Sequence, residues 1–189
     1  GLLVEEDTPM IWRGPMVTQA LEQLLTDTNW KDVDYLIIDL PPGTGDVQLT
    51  LCQKIPVSGA VIVTTPQDIS LIDARKGLKM FEKVEVPVLG IVENMSTHVC
   101  KKCGHIESIF GEGGGEQLAS EAGVKLLGEL PLEKQIREEM DKGTPTVSSN
   151  PMDPASLAYR EIARKMTATL SMRKKDYSSA FPKIVIQND

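Results

Sequence analysis

The sequence predicts an α/β fold built on a doubly wound, mostly parallel sheet. Three observations lead there. Short apolar runs alternate with stretches of helical periodicity four times over. The first run, Asp34-Tyr35-Leu36-Ile37-Ile38-Asp39-Leu40, is nearly continuous in apolar residues, as suits a strand covered on both faces. Finally, the chemically unusual residues Asp39, Thr65, Asn94 and Pro131 fall at or just past the expected strand ends. Alternation of this kind implies crossover connections with helices on both faces, and such sheets bind ligands at the carboxyl ends of their strands.

The elements follow in order. A helix opens at Gly14-Pro15, with Met16, Ala20, Leu21, Leu24 and Leu25 at helical spacing. The strand at 34–40 is broken by Pro41-Pro42-Gly43-Thr44-Gly45, and a helix covers 46–54. A strand at 59–65 ends at Pro66, and a helix covers 69–81. A third strand, 86–92, runs into Glu93-Asn94, and a Cys- and Gly-rich insert occupies 96–115. Then come a helix at 116–122, a strand at 124–130, a helix at 132–142 and a long helix at 154–172. Residues 1–172 read as one core, and 173–189 as a tail whose only apolar cluster is Ile184-Val185-Ile186.

A chain of 189 residues suits one such domain, and 41% hydrophobic with 25% charged residues is an ordinary globular balance. Aromatics are only 4%, so the core must be aliphatic. The net charge of −7 gives no support to nucleic-acid binding and weighs against an anionic membrane as the main partner. No apolar run approaches the ~20 residues of a membrane span, and no signal-peptide pattern opens the chain. Three cysteines do not suggest a secreted disulfide framework; the expectation is a reducing compartment, the cytoplasm.

Four segments carry chemistry. Asp39 ends an apolar run and precedes a Gly-rich turn. A carboxylate so placed can hold Mg²⁺ beside nucleotide phosphates, and the Gly-rich turn after it can offer a backbone N–H to a terminal phosphate; the plainer reading is a strand ending in a turn, with Asp39 capping the following helix. Cys100-Lys101-Lys102-Cys103 can grip one metal ion or one edge of a cluster. No helix starts at the motif, against a thioredoxin-like redox pair. A structural zinc site needs four ligands, and His98 and His105 lie too close in sequence to wrap a tetrahedral ion easily. Half of a site completed by a second copy of the chain fits the count; two surface thiols without metal is the plainer alternative. Lys101 and Lys102 would offset the charge of the thiolates and keep them ionised. Cys52, among Leu49, Leu51 and Ile55, reads as core. Asn94 can pair with a nucleobase through both ends of its amide, or simply form a turn. Gly111-Glu112-Gly113-Gly114-Gly115 lacks the Lys and Ser/Thr of a Walker A loop and reads as a flexible linker and helix entry positioning the cysteine loop.

With these pieces in order the chain resembles the Mrp/ApbC branch of the MinD/ParA-like P-loop ATPases. The resemblance rests on Trp12-Arg13-Gly14-Pro15-Met16, Asp34-Tyr35 through Asp46, Thr64-Thr65-Pro66-Gln67-Asp68, Val92-Glu93-Asn94-Met95-Ser96, the two cysteines, Ile109-Phe110-Gly111, and Leu127-Gly128-Glu129-Leu130-Pro131-Leu132. It implies a sheet of the P-loop NTPase type whose phosphate-loop strand would lie N-terminal to Gly1, and upstream residues are expected in the native protein. It also implies an ATP-hydrolysing homodimer that carries a [4Fe–4S] cluster at the subunit interface, receives it from an assembly scaffold and hands it to apo iron–sulfur clients. By position Cys100 and Cys103 match the cluster cysteines, Asp39 the Walker B aspartate with Mg²⁺, Gly43 the switch glycine and Asn94 the adenine contact. A zinc-stabilised dimeric adaptor without cluster transfer is the alternative.

Overall fold

The computed structural model describes residues 14–40 and 45–173. Its centre is a three-stranded parallel sheet, β1 (Ala60–Thr64), β2 (Val88–Glu93) and β5 (Leu126–Glu129), in the order β1-β2-β5. The register pairs Ile62 with Ile91, Val63 with Val92 and Thr64 with Glu93 across β1 and β2, and Glu93 with Glu129 across β2 and β5. Side chains alternate between the faces of a strand, and both faces are covered. On one, Ile62 and Ile91 pack with Leu71, Ala74, Met80 and Phe81 of α3 (Asp68–Lys83) and Leu118 and Ala119 of α4 (Gly114–Ala122). On the other, Val92 and Leu127 pack against Tyr159, Ile162 and Met166 of α7 (Pro154–Ser171). The expected doubly wound α/β architecture is therefore the one observed.

Most elements lie where periodicity puts them. α1 (Gly14–Thr26) packs on α2 (Asp46–Lys54), and Cys52 of α2 is buried in the α3/α4-side core, as its apolar neighbours suggest. α5 (Lys134–Asp141) carries exposed ion pairs at helical spacing, Lys134–Glu138 and Arg137–Asp141. A short helix, α6 (Thr146–Ser149), was not expected; four residues are too few for a periodic signal. Asp153 caps α7 by accepting from the Ala155 N–H at 2.9 Å, and Pro154 occupies the first turn, where its missing donor costs nothing.

Two expectations are corrected. Residues 34–40 form no strand: Tyr35, Leu36 and Ile37 are exposed, Ile37 to 73%, and Asp39 is exposed too. An apolar run expresses a preference for burial but does not supply a partner, and among the described residues no strand offers it a hydrogen-bonding ladder. Only Leu40, at its end, packs against the α3/α4-side core. The insert, expected as loop, contains a two-stranded antiparallel hairpin, β3 (His98–Val99) and β4 (Ile106–Glu107).

This architecture makes Ile91 central and Ile37 peripheral. Ile91, at 0% exposure, should cost about 2–5 kcal/mol when cut to Ala, because a cavity opens in the middle strand. Ile37→Ala should stay within about 0.5 kcal/mol. Urea denaturation of both variants checks the contrast.

Candidate functional site

The site begins where β2 ends. Glu93 is the last residue of the middle strand and Asn94 the first beyond it. The Asn94 N–H donates to the Thr64 carbonyl at 2.7 Å, extending the β1–β2 ladder by one bond, and the Leu130 N–H donates to the Glu93 carbonyl at 2.8 Å from the other side. The chain then turns sharply. Met95 takes a left-handed backbone, φ 57°, and its N–H donates to the Asn94 Oδ1 at 3.0 Å. One lone pair of the Asn94 amide oxygen is thus committed to holding the turn.

From here residues 96–113 make an excursion and return. The outgoing leg is tied to the chain following β5: the Ser96 N–H donates to the Leu130 carbonyl at 3.0 Å and the Leu132 N–H to the Thr97 carbonyl at 2.7 Å. His98 Nδ1 lies 3.0 Å from the Leu132 carbonyl, which, as an acceptor, fixes the proton on that nitrogen. The hairpin follows, with Val99 opposite Ile106. At its tip the Cys100 N–H donates to the His105 carbonyl at 2.9 Å and the Gly104 N–H to the Cys100 carbonyl at 2.8 Å. Gly104 is left-handed, φ 71°, which explains a glycine directly after the second cysteine.

This tight tip folds the backbone around one sulfur. The backbone N–H groups of Cys103 and Lys102 donate to the Cys100 thiol, with smaller contributions from the Cys103 side chain and His98, and together they hold Cys100 below its ordinary thiol value. The sequence assigns thiolate stabilisation to the lysine charges; in the structure it comes first from main-chain donors, one of them belonging to Lys102. Cys100 is half-buried and Cys103 exposed, side by side at the end of a projecting hairpin. A cysteine pair in which backbone donors lower one thiol, Cys100, fits the needs of a soft metal centre, for which the ligand must be the ionised sulfur. Among the described residues no group of three or more His, Cys, Asp or Glu side chains converges on one point. Cys52, buried in the core with its thiol pushed up by that burial, stands apart.

The returning leg bears out the glycine run as a helix entry, α4 beginning at Gly114, and corrects its reading as a flexible linker. Gly111 and Gly113 do take left-handed backbones, but Gly114 and Gly115 are buried in the first turn of α4. A Cβ on Gly114 would stand 2.9 Å from Leu71 Cδ1 and 3.1 Å from the Pro66 backbone, and one on Gly115 2.9 Å from Glu93 Cβ. These glycines are there for closeness. Glu93, 1% exposed, points its carboxylate at that turn, and the Gly115 N–H donates to Oε2. Burial pushes the Glu93 carboxyl up, the Gly115 N–H pulls it back, and Glu129 adds to the rise. Sequence reasoning passed over Glu93, although a lone carboxylate in Leu89-Gly90-Ile91-Val92-Glu93 was the available signal.

Asp39 sits in the exposed segment before α2, and no hydrogen bond among the described residues ties it to Asn94 or the cysteines. Gly43 lies outside the described residues.

The described residues define a doubly wound α/β scaffold bearing a cysteine pair at the tip of a hairpin. Residues 1–167 match the family model described as ParA, the NUBPL iron-transfer P-loop NTPase, and the chain belongs to that family of iron–sulfur carrier and transfer proteins. It is 61% identical over 163 residues to an iron-sulfur cluster carrier protein of Pseudomonas fragi, covering 86% of this chain and 57% of that protein. Over 170 residues it is 61% identical to an iron-sulfur cluster carrier protein of Escherichia coli, covering 90% of this chain and 46% of that one. It is 52% identical to the mouse iron-sulfur cluster transfer protein NUBPL, covering 90% of this chain and 53% of that one. The chain thus spans about half the length of the curated relatives it matches. A nucleotide-binding protein from Archaeoglobus fulgidus, solved in complex with ADP, superposes with a TM-score of 0.64 at 35% identity, covering 76% of this chain and 57% of that one. The cell-division ATPase MinD of Pyrococcus furiosus, 21% identical, shares the fold with a TM-score of 0.59, covering 82% of this chain and 59% of that one.

Two outcomes follow from the local chemistry. Iodoacetamide at neutral pH should alkylate Cys100 first, Cys103 next and Cys52 only on unfolding, because reaction runs through accessible thiolate; peptide mass spectrometry over time reads the order. The raised Glu93 carboxyl binds its proton more tightly folded than unfolded, so its contribution to stability falls as pH rises above the ordinary carboxylate range. Glu93→Gln should remove that decline, and urea midpoints at about pH 5 and about pH 7 should lie closer together than in the parent protein.

Proposed function

We propose that this chain belongs to an ATP-dependent carrier that holds a [4Fe–4S] cluster between two copies of itself and delivers it to apo iron–sulfur proteins. The observation that carries the reading is the Cys100–Cys103 pair: two ionisable sulfurs at the tip of a hairpin, with no third protein ligand converging on them among the described residues. A cubane cluster takes four thiolates. Two-fold symmetry brings two pairs together without recruiting the buried Cys52. The cluster is then cargo, held at an exposed edge from which a client's cysteines can displace one pair of ligands by thiolate exchange.

The ATP half of the proposal draws on the ADP bound by the Archaeoglobus protein. Asn94, at the carboxyl end of β2, would read the base with the part of its amide left over from the Met95 contact. Asp39 would hold Mg²⁺ through water, with Gly43 beside the terminal phosphate. Hydrolysis would set the geometry of the dimer, and thereby whether the cluster is gripped or released. The compartment that suits exposed, reduced thiols is the cytoplasm. Among the described residues no helix is long and apolar enough to cross a membrane.

Zinc is the other occupant a paired-thiolate hairpin takes, and it would make the dimer a scaffold. Anaerobic reconstitution separates the two. The expected product is brown, with one cluster per dimer by iron and sulfide analysis alongside native mass spectrometry. Cys100→Ala or Cys103→Ala should abolish cluster binding, whereas Cys52→Ala should retain it. A colourless zinc-loaded protein would reject the carrier reading, and a full cluster on a strict monomer would reject its bridging between two copies.

A further inference from the structure

The cysteine excursion leaves the sheet after Glu93 and returns at Gly114. Its outgoing leg is fastened by main-chain bonds to Leu130 and Leu132. The side chain that joins the departure point to the return is Glu93, on the Gly115 N–H. Glu93 also precedes Asn94, and its partner turn in α4 rests on Pro66, just past the end of β1. One buried carboxylate therefore touches the strand end expected to face nucleotide and the helix start from which the cysteine hairpin hangs.

We infer that Glu93 is a positioning residue: its carboxylate clasps Gly115, sets the angle of the cysteine hairpin against the carboxyl end of the sheet, and carries changes at that end to the cysteines. The inference rests on the proposed carrier function for what the two ends bind. The mechanical part stands on this chain's own bonds. Main-chain movement at the end of β2 displaces Glu93 with it. The Gly115 N–H follows the carboxylate, and no side chain on Gly115 cushions the motion, since a Cβ there would lie 3.0 Å from Oε2. A clasp needs an acceptor oxygen at this position but not a charge, which suits a carboxyl whose burial already favours its neutral form.

The test compares Glu93→Leu, Gly115→Ala and Glu93→Gln with the parent in the native full-length protein, each checked for fold by circular dichroism. Hydrogen exchange reads the Cys100 and Gly104 amides of the hairpin against the Ile91 amide of the sheet, which donates to Lys125. Glu93→Leu should raise hairpin exchange roughly tenfold and leave Ile91 unchanged, the loss expected for one ordinary buried hydrogen bond. Gly115→Ala should do the same by pushing the carboxylate away. Since alanine favours helix, that result would not come from a weakened α4. Glu93→Gln should match the parent. In cluster-loaded protein, the ratio of chelator-driven iron release with and without ATP should collapse toward one in Glu93→Leu and persist in Glu93→Gln. If Glu93→Leu does not fold, Gly115→Ala decides. Parent-like hairpin exchange in the folded disrupting variants overturns the clasp, as does a parent-like ATP ratio in them. The exchange readout needs no cargo, so a parent protein that binds no iron would reject the carrier reading and leave the clasp to be judged on exchange.

Discussion

β2 is the strand on which the rest of the molecule is hung. It is hydrogen-bonded on both edges, to β1 and β5, and covered on both faces, by α3 and α4 on one side and α7 on the other. Parallel strands cannot be linked by a hairpin and are stable only when helices seal both faces. The chain meets that demand with aliphatic residues at adjoining positions, Ile91 facing one layer and Val92 the other. The consequence appears at the strand's end: the residues that follow emerge from a backbone paired on both edges and packed on both faces, so groups placed there inherit its precision.

That precision is spent on a small and exposed feature. A cysteine hairpin with two pairs of facing residues has little stability of its own, because an isolated two-stranded ribbon is marginal in water. Here it borrows order from its base, through the bonds of Ser96, Thr97 and His98 to the segment beyond β5, and from its tip, where backbone donors close around the Cys100 sulfur. The main-chain dipoles that lower the Cys100 thiol are fixed, and they persist when surface charges are screened by salt.

Much of this was legible in the sequence, and what was not has physical causes. Sealed strands and amphipathic helices leave unambiguous periodic traces, so β1, β2, β5 and α3 lie within a few residues of their expected limits. The run at 34–40 leaves the same trace without becoming a strand, because hydrogen-bond pairing is a property of two segments and only one is written in that run. The glycines at 114 and 115 were misjudged because a missing Cβ serves two opposite ends, freedom and close approach, which look alike in one dimension. The hairpin was invisible because Val99 opposite Ile106 is too short a pattern to register. The cysteines could be named as a pair from spacing alone, but the donors that lower the Cys100 thiol are main-chain groups, and a sequence lists side chains. Asp39 and Asn94 could be named as nucleotide contacts from their places at strand ends and, with Gly43, from resemblance; for them the described backbone adds most at Asn94, whose amide oxygen already serves the Met95 turn.

The excursion from Asn94 to Gly113 departs and returns at neighbouring points, and that gives it the character of an interchangeable cassette. Its ends are held by the sheet and by α4, so its contents can lengthen, shorten or change chemistry while the two packed layers beneath remain as they are. Loop closure grows only slowly more costly with length, about 0.6 kcal/mol for each doubling. A scaffold with such a port can diversify in what it carries without relearning how to fold, provided the two glycines at the return and the strand end they rest against are left in place.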